Sequence, residues 1–584
     1  MSSFTRRQFT QGVMAASAVQ AFGQGKKHGR TKKPNVLFVI ADEWRAQAFG
    51  YAGDSNVSTS AFDQFALESV SFDQMVSGLP VCCPARASLL TGQYPLTHGV
   101  YINDVQLKPK VRTIGECFRD AGYQTGYIGK WHVYGSPDGH YGRRESFIPT
   151  DQHFGFEYWK VAECCHDYEH SFYYEGGDPT KKFWEGYDAQ AQTDDACKFI
   201  HANANSDKPY FLTLSWGPPH FPLRTAPEKY RQMFSQKPIS LRPNVAPERK
   251  EQAIADLRGY YAHMAALNDC FKQLLIAVNE TNSQEDTVVI FTSDHGDMME
   301  SQGLQTKLYP WEESIRVPLL VRYPKKYGTA GHKSDALLTT PDLMPTLLGL
   351  CDIPVPRGVQ GTDFSNLATT RRKLGPSATA FLNMPVPITT ARRFGIAEYR
   401  GVRDLRYTYV RSIKGPWLLY DNETDPYQMS NLIGKPEVKG IQTRLDRQLE
   451  MWLTALNDEF LPSETYLGRD ILTNYMEPYS AVIYTRSPWD DWESTLPALD
   501  FSVDSPITTV LKNPEARAIL EQEAPQAIRA AEQSQIPGQT ACIRQMQHMG
   551  LAISDGRLSK IDGELAKLPS VARKPLRGSS HTSL

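Results

Sequence analysis

The segment Pro34–Trp44, PNVLFVIADEW, joins a run of apolar residues to two acidic ones. Val36 to Ile40 are consecutive apolar residues rich in β-branched side chains, and the acidic residues Asp42 and Glu43 follow shortly after them. A continuous run of this kind is typical of a strand that is buried on both faces, as in a parallel sheet. The segment therefore predicts a central parallel strand that ends in charged side chains.

The same pattern recurs three times further along the chain, at Tyr123–His132 (YQTGYIGKWH), Tyr210–His220 (YFLTLSWGPPH) and Asp286–Asp297 (DTVVIFTSDHGD). Helix-like stretches lie between these segments, at 113–122, 193–204 and 248–280. Strands that alternate with helices indicate an α/β domain built on a large, mostly parallel sheet.

Each of the four predicted strands ends in charged or imidazole side chains, namely Asp42 with Glu43, Lys130 with His132, His220, and Asp294 with His295. In open α/β sheets, ligands bind beyond the carboxyl ends of the strands. Four such endings therefore predict one shared site at this edge of the sheet.

Composition narrows the class of protein. With 584 residues the chain is too long for one compact core, so we expect a large domain and one or two smaller ones. Its 41% hydrophobic and 22% charged residues are typical of a globular protein. The net charge of −2 argues against nucleic-acid partners. No segment is long and apolar enough for a membrane helix, so we expect no stable membrane association.

Four regions are expected along the chain. Residues 1–30 are predicted to be an export signal and basic leader, and 31–365 the catalytic α/β domain. Residues 366–460 contain predicted antiparallel strands and a closing helix, which indicate a smaller α+β domain. Residues 461–584 are expected to be a partly helical extension with a disordered tail.

The leader contains TRRQFTQ, at residues 5–11, which resembles a bacterial twin-arginine export signal. The mildly apolar stretch after it is too short to span a bilayer. Delivery to the periplasm or beyond by the twin-arginine machinery is therefore expected, with a disordered basic leader as the alternative.

The acidic pairs favour a particular class of metal. Asp42, Glu43, Asp294 and His295 offer hard oxygen ligands and one imidazole, which suit Ca²⁺ or Mg²⁺ better than Zn²⁺. Helix capping or simple surface polarity is the alternative for these residues.

Two adjacent cysteines, Cys82 and Cys83, occupy the segment GLPVCCPARASLLTGQYP. A disulfide, a metal site, a catalytic nucleophile and core packing are all compatible with them. A helix starting at Pro84 would place Arg86 one turn from Cys82, and this setting lowers the pKa of a thiol. Cys83 is predicted to serve only in packing.

The segment from Cys82 to Gly92, CCPARASLLTG, resembles the C-x-P-x-R…T-G signature of the type I, formylglycine-dependent sulfatases. The segments GYIGKWH, PPHFP, TSDHGDMMESQGLQTKLYP and WLLYDNETDPYQMSNL resemble further parts of that family in the same order. The resemblance spans about Pro34 to Asp458. It implies the alkaline-phosphatase-like α/β fold and a sulfatase activity.

The resemblance also implies a role for each matched residue. Asp42, Glu43, Asp294 and His295 would hold Ca²⁺ or Mg²⁺, and a formylglycine made from Cys82 by a separate maturase would complete the coordination. Arg86 would stabilise the hydrated aldehyde, and Lys130 and His132 would contact it and the sulfate. His220 and Lys307 would bind the sulfate and serve the leaving oxygen. Glu43, His295 and Ala85 depart from the family's commonest residues, which are Asp, Asn and Ser.

The expected function is hydrolysis of an organic sulfate monoester, on a sulfated small molecule or oligosaccharide. A phosphodiester or phosphonate monoester hydrolase of the same superfamily, or a non-catalytic binding protein on this scaffold, are the alternatives. An aromatic-rich run at 153–187 suits sugar stacking at a pocket rim and equally suits an irregular packed loop.

Overall fold

The computed structural model describes residues 33–135, 144–366, 379–388, 391, 395–470, 507–532, 543 and 553–568. Residues 34–584 form one compact unit and residues 1–33 a second one, of which only Lys33 is described. The predicted leader at 1–30 and the predicted tail after 570 lie outside the described residues.

Fourteen strands are described, and their bounds are β1 Asn35–Asp42, β2 Val70–Val76, β3 Gln124–Lys130, β4 Tyr158–Ala162, β5 Phe172–Glu175, β6 Asp178–Phe183, β7 Tyr210–Pro219, β8 Thr287–Ser293, β9 Leu319–Arg322, β10 His332–Thr339, β11 Ala380–Met384, β12 Tyr399–Arg403, β13 Tyr407–Ser412 and β14 Gly415–Asp421.

The α-helices among the described residues are α1 Ser60–Leu67, α2 Cys82–Thr91, α3 Pro95–His98, α4 Ile114–Asp120, α5 Asp188–Asn203, α6 Glu228–Ser235, α7 Lys250–Glu280, α8 Glu312–Ile315, α9 Pro324–Tyr327, α10 Leu343–Leu350, α11 Lys439–Leu456, α12 Ser463–Arg469, α13 Ile507–Lys512, α14 Pro514–Glu523, α15 Pro525–Glu532 and α16 Asp555–Leu565.

The larger sheet has ten strands in the order β10-β2-β9-β8-β1-β7-β3-β4-β5-β6. Its five central strands, from β8 to β4, are all parallel. Antiparallel pairs occur toward the edges, where β9 joins β8 to β2 and where β5 and β6 follow β4. The predicted α/β fold with a mostly parallel sheet is confirmed, and the four predicted strands are the adjacent strands β8, β1, β7 and β3.

Strand β1 lies in the core because both of its faces are covered. Val36, Phe38 and Ile40 belong to one hydrophobic cluster, and Leu37 and Val39 belong to another. Successive side chains of a strand point to opposite faces, so the two clusters pack on the two sides of the sheet. The continuous apolar run of the sequence is the direct consequence of this double burial.

A second, four-stranded antiparallel sheet has the order β11-β12-β13-β14. Helix α11 covers it with Leu445, Leu449 and Leu453, which are spaced one turn apart and are buried against residues of these strands. This is the predicted smaller α+β unit. The described helices α13 to α16 share a separate hydrophobic cluster that includes Val510, Leu520 and Ile561.

Within the described part of the chain, none of the helices combines the length and the apolar character that crossing a bilayer requires.

A buried ion pair joins the small sheet to the α/β part of the molecule. Nε and Nη2 of Arg403, on β12, donate to Oε1 and Oε2 of Glu312, on α8, at 2.7 and 3.0 Å. Both side chains are almost fully buried. Burial alone would raise the pKa of Glu312, but the charges of Arg403 and Arg316 hold it below its ordinary value.

Replacing Arg403 should therefore destabilise the fold. We expect Arg403→Met to lower the free energy of unfolding by about 3 to 5 kcal/mol, because it leaves a buried carboxylate short of its partner. Since the pKa of Glu312 is depressed in the folded protein, this stabilisation is present at neutral pH and is lost as the pH falls through that lowered value. The deficit of the variant, measured by denaturant unfolding, should therefore shrink on acidification.

Arg406→Met is the matched control. Arg406 also makes a two-point contact with a carboxylate, that of Asp421, but its side chain is half exposed. Its replacement should change stability little. Equal losses for the two variants would contradict the assignment of stability to burial of the Arg403 pair.

Candidate active site

Acidic residues from two neighbouring strands meet at the carboxyl edge of the large sheet. Ala41 of β1 pairs in register with Ser293 of β8, so Asp42 and Asp294 are brought side by side. Glu43 follows with a positive φ of 68°, and its backbone N–H donates to Asp294 Oδ1 at 3.1 Å. This turn directs successive carboxylates into one buried cluster.

Cys82 lies at the first position of α2 and faces these carboxylates. Its Sγ is 3.2 Å from His295 Nε2 and 3.8 Å from Asp42 Oδ1, and the residue is 1% exposed. Possible ligand atoms of Asp42, Cys82, Asp294 and His295 all lie within 4.8 Å of one another. The four residues therefore form one compact, buried set of metal-ligating groups.

Two details of the Cys82 prediction are wrong. The helix begins at Cys82 and not at Pro84. The pKa of the Cys82 thiol is raised and not lowered, because burial and the nearby Asp42 carboxylate disfavour a thiolate more than the neighbouring lysines favour it. Cys83 is buried as predicted, and its Sγ accepts the backbone N–H of Asp104 at 3.2 Å. The eight cysteines within the described residues are all free thiols.

Arg86 is held on several sides. Its Nε donates to Asp294 Oδ2 at 3.1 Å, and its Nη1 donates to the Lys130 carbonyl at 3.0 Å and to Ser215 Oγ at 2.7 Å. Its Nη2 also lies 3.5 Å from Asp42 Oδ2. Although burial disfavours the charge, Asp294 and Asp42 raise the pKa of Arg86, so this guanidinium is a fixed buried cation.

Two lysines and a histidine complete the buried charge cluster. Lys130, at the end of β3, pairs with Asp42. Lys307 Nζ lies 3.2 Å from Glu43 Oε2 and 2.5 Å from His220 Nε2. His220 Nδ1 lies 2.9 Å from the Phe221 carbonyl, an arrangement in which Nδ1–H donates and Nε2 accepts from Lys307.

The pKa shifts in this cluster follow burial and pairing. Burial raises the pKa of Asp42, but the charges of Lys130 and Arg86 outweigh it and hold the value well below the ordinary range. Burial raises the pKa of Glu43 well above its ordinary value, against the opposing effect of Lys307. Burial and Lys307 together lower the pKa of His220, so its imidazole is neutral.

His132 forms its hydrogen bond with Asp104 and not with the carboxylates of the cluster. Its Nε2 is 2.9 Å from Asp104 Oδ1, and its buried Nδ1 has no hydrogen-bond partner among the described residues. Burial lowers the pKa of His132 to about 3, whereas Arg144 and His132 lower the pKa of Asp104 to about 2 despite burial. The sequence analysis missed Asp104, since helix α4 and strand β3 separate it from His132 along the chain and no motif marks it.

His166 is a second neighbour of the site that the sequence analysis missed. Its ring stacks on that of His220 at a centroid distance of 4.4 Å, and its Nε2 lies 3.4 Å from Cys164 Sγ. The aromatic-rich run that contains it forms β4, β5 and β6, and Tyr168 and Tyr174 in that run are buried. Packing therefore accounts for these two tyrosines better than sugar stacking does.

Comparison with known proteins identifies the family to which the chain belongs. The family model for Sulfatase matches residues 34–353, and the model for N-sulphoglucosamine sulphohydrolase, C-terminal, matches residues 301–454. The chain belongs to the sulfatase family. It is therefore a sulfuric ester hydrolase, and its fold is the alkaline-phosphatase-like one.

Three relatives illustrate the similarity. An ulvan-active sulfatase of Formosa agariphila is 40% identical over 75% of this chain and 84% of its own length. An endo-4-O-sulfatase of Bacteroides thetaiotaomicron is 30% identical over 74% of this chain and 93% of its own. A solved structure from work on glycosaminoglycan metabolism by Bacteroides thetaiotaomicron has a TM-score of 0.66 and 28% identity, and the match covers 75% of this sulfatase and 100% of that chain.

The contact between His132 and Asp104 generates a prediction. Asp104 has a positive φ of 61°, a conformation that Asn also tolerates, so Asp104→Asn should fold normally. Loss of the carboxylate should loosen the orientation of His132 and lower kcat by about 10- to 100-fold, as when partners of active-site ligands are removed. KM for 4-nitrophenyl sulfate and the thermal unfolding temperature should change little.

Asp151→Asn, at an exposed position, is the control and should leave kcat unchanged. A matching loss of kcat and thermal stability in Asp104→Asn would mean that Asp104 serves only the fold. The mass of the peptide that contains residue 82 should be checked in both variants, so that altered maturation is not mistaken for altered catalysis.

Proposed function

We propose that this sulfatase hydrolyses a sulfate monoester of a carbohydrate, with a formylglycine made from Cys82 and a bound divalent cation. The observation that carries the proposal is the convergence of Cys82 with Asp42, Asp294 and His295 in one buried cluster. Arg86, Lys130 and Lys307 border the same cluster as buried cations, which is the charge that a sulfate ester requires.

The donor set fits a hard divalent cation. Asp42, Glu43 and Asp294 offer carboxylate oxygens and His295 an imidazole, and the buried Oε1 of Glu43 has no hydrogen-bond partner within the described chain. Oxygen-rich sets of this kind favour Ca²⁺, with Mg²⁺ as the alternative. The bound cation would act as a Lewis acid that stabilises negative charge on the sulfate and on the nucleophilic oxygen.

The surroundings of residue 82 suit an oxygen nucleophile. Converted to formylglycine by a maturase and hydrated, residue 82 would supply one hydroxyl that attacks sulfur and a second whose deprotonation later releases sulfate. Arg86, fixed by Asp294 and Ser215, orients its charge toward this position. The Nδ1 of His132 is buried without a hydrogen-bond partner among the described residues, so it could accept a proton from a hydroxyl of residue 82.

Lys307 and His220 are proposed to serve the leaving oxygen. His220 is neutral, and its Nε2 accepts a hydrogen bond from Lys307. Burial disfavours the charge of Lys307, but Cys82, Glu43 and Asp42 raise its pKa in the unconverted protein, and Glu43 and Asp42 still lie beside it once Cys82 is converted. The proton therefore resides on Lys307 Nζ, and His220 positions that ammonium group. We propose that Lys307 donates this proton to the departing alcohol.

The carbohydrate substrate is proposed from the relatives, which include an ulvan-active sulfatase and an endo-4-O-sulfatase. We further propose export by the twin-arginine machinery, which would place the enzyme in the periplasm or outside the cell, where sulfated polysaccharides are met.

Replacing the two adjacent cysteines tests the mechanism. Cys82→Ala should abolish hydrolysis of 4-nitrophenyl sulfate, whereas Cys83→Ser should retain most of it, because Ser keeps an acceptor for the Asp104 N–H. In protein made beside a competent maturase, the tryptic peptide from Ala46 to Arg86 should show sulfur replaced by oxygen with loss of two hydrogens. An unmodified thiol in fully active enzyme would falsify the formylglycine mechanism.

The same assay with matching phosphate and phosphonate esters tests the reaction class. Turnover of the sulfate ester should exceed that of the phosphorus esters. Faster turnover of 4-nitrophenyl phosphonate esters would instead favour the phosphonate monoester hydrolase alternative.

Removal of the metal should inactivate the enzyme. Exhaustive chelation should abolish turnover, and Ca²⁺ should restore it more fully than Mg²⁺. Elemental analysis should show a large loss of bound divalent cation in Asp294→Asn. Asp104→Asn is the matched control, because Asp104 belongs to a separate cluster with Cys83 and His132. If only Asp104→Asn lost the cation, the metal site would have to be assigned to that second cluster instead.

A further inference from the structure

A polar cavity of about 290 Å³ lies outside the candidate active site. Arg45, which follows β1, contributes to its wall together with Asn56, Ser240, Arg242, Ser301 and Tyr427. None of the residues assigned above to metal binding or catalysis lines this cavity. The cavity is therefore a distinct feature of the molecule, although Ser301 and Lys307 belong to the same loop.

Arg45 carries a buried charge that makes no direct ion pair with the described residues. The residue is 2% exposed, and its Nε and Nη1 have no hydrogen-bond partner in the part of the chain that is described. Among those same residues, no carboxylate lies within ion-pair distance of it. Burial disfavours this charge, whereas nearby groups, among them the Glu313 and Asp54 carboxylates, favour it and raise the pKa of Arg45, although neither carboxylate contacts the guanidinium. Such a group in the wall of a cavity indicates a ligand of opposite charge.

The acidic groups around the cavity are already engaged. Glu313 Oε1 accepts from Arg242 Nε at 2.9 Å and from Asn244 Nδ2 at 2.8 Å. The Asp54 carboxylate accepts from the hydroxyl of Tyr261 at 2.7 Å and from the backbone N–H of Asn56 at 2.9 Å. Arg45 is thus the charge that remains available for a ligand.

The chemistry of the wall favours a sugar that carries an oxyanion over a free oxyanion. A lone sulfate ion would leave much of the 290 Å³ to water. The wall offers the hydroxyls of Ser240 and Ser301, and Ser301 Oγ is buried without a partner among the described residues. Hydroxyls of this kind pair with sugar hydroxyls.

We propose that this cavity is a second carbohydrate-binding site, in which Arg45 pairs with the sulfate or carboxylate of a sugar unit that is not being hydrolysed. The inference rests on the proposed function only in taking a sugar as the carrier of the anion. The backbone of Ser301 bridges to Val245, and Met298 N–H donates to the Thr306 carbonyl at 2.7 Å, so the loop that lines the cavity is the one that presents Lys307. A chain bound here would thus be held close to the catalytic cluster.

The decisive experiment compares ligand binding and ligand-free stability in Arg45→Met. Glucuronic acid, glucose 6-sulfate, glucose and inorganic sulfate would be titrated by calorimetry into wild-type and variant protein carrying Cys82→Ala, which prevents turnover. We expect at least one of the two anionic sugars to bind and glucose not to bind. Arg45→Met should weaken that binding at least tenfold. The two sugars distinguish a carboxylate from a sulfate as the recognised group.

Thermal unfolding separates a binding role from a structural one. Because Arg45 makes no direct ion pair with the described residues, Arg45→Met should unfold without ligand at the same temperature as the parent or a higher one, while the ligand-induced increase disappears. A lower unfolding temperature with unchanged sugar binding would overturn the proposal. Binding of inorganic sulfate as tight as that of the sugars would overturn the assignment to carbohydrate.

Two further variants serve as controls for this experiment. Ala52→Phe, at an exposed position of the cavity wall, should block sugar binding while Arg45 remains in place. Arg231→Met removes an exposed arginine outside the cavity and should leave binding unchanged. With Cys82 intact, all three single variants should turn over 4-nitrophenyl sulfate within about twofold of wild type. Failure of the cavity proposal therefore leaves the hydrolytic proposal untouched, and failure of hydrolysis in wild type leaves the binding data interpretable.

Discussion

The site depends on mutual neutralisation of buried charges. Three cations meet three carboxylates, and all are less than one-tenth exposed, namely Arg86, Lys130 and Lys307 with Asp42, Glu43 and Asp294. Opposite charges within a few ångströms offset the cost of burying each of them. A divalent cation bound by the carboxylates would weaken their ion pairs with the lysines. The positive charge of the lysines would then be available to bind an anion. By thermodynamic linkage, binding of the cation and of the sulfate should therefore each raise the affinity for the other.

The order of the strands explains why these charges meet. Strands β8, β1, β7 and β3 are adjacent and parallel, so their carboxyl ends share one edge. Their interiors are buried on both faces, which excludes charged groups from every position except the ends. Helix α2 then delivers Cys82 and Arg86 to the same edge, and the loop after β8 delivers Lys307. The location of the site thus follows from the burial of the sheet.

The same burial determines what could be predicted from sequence. The four central strands were recognisable because burial on both faces produces continuous apolar runs, and the residues directly after them could be assigned to one edge. Strand β9 has only four residues, and β6, DPTKKF, is largely exposed, so neither leaves a distinct pattern. Asp104 and Arg45 escaped notice for a related reason. Their importance lies in a contact, or the lack of one, that only the folded chain reveals.

Arg45 and Arg86 show how the surroundings of a buried arginine determine its use. Arg86 is held by Asp294, Ser215 and a backbone carbonyl, so its charge is oriented before substrate arrives. Preorganised charge of this kind stabilises a transition state without reorganisation during the reaction. Nε and Nη1 of Arg45 lack such direct partners among the described residues, so the cost of burying this charge is offset only from beyond contact distance. A ligand that relieves this cost gains affinity by doing so, which suits recognition and not catalysis. The two guanidiniums, that of Arg45 just after β1 and that of Arg86 on α2, are thus fitted to different tasks by their hydrogen bonds.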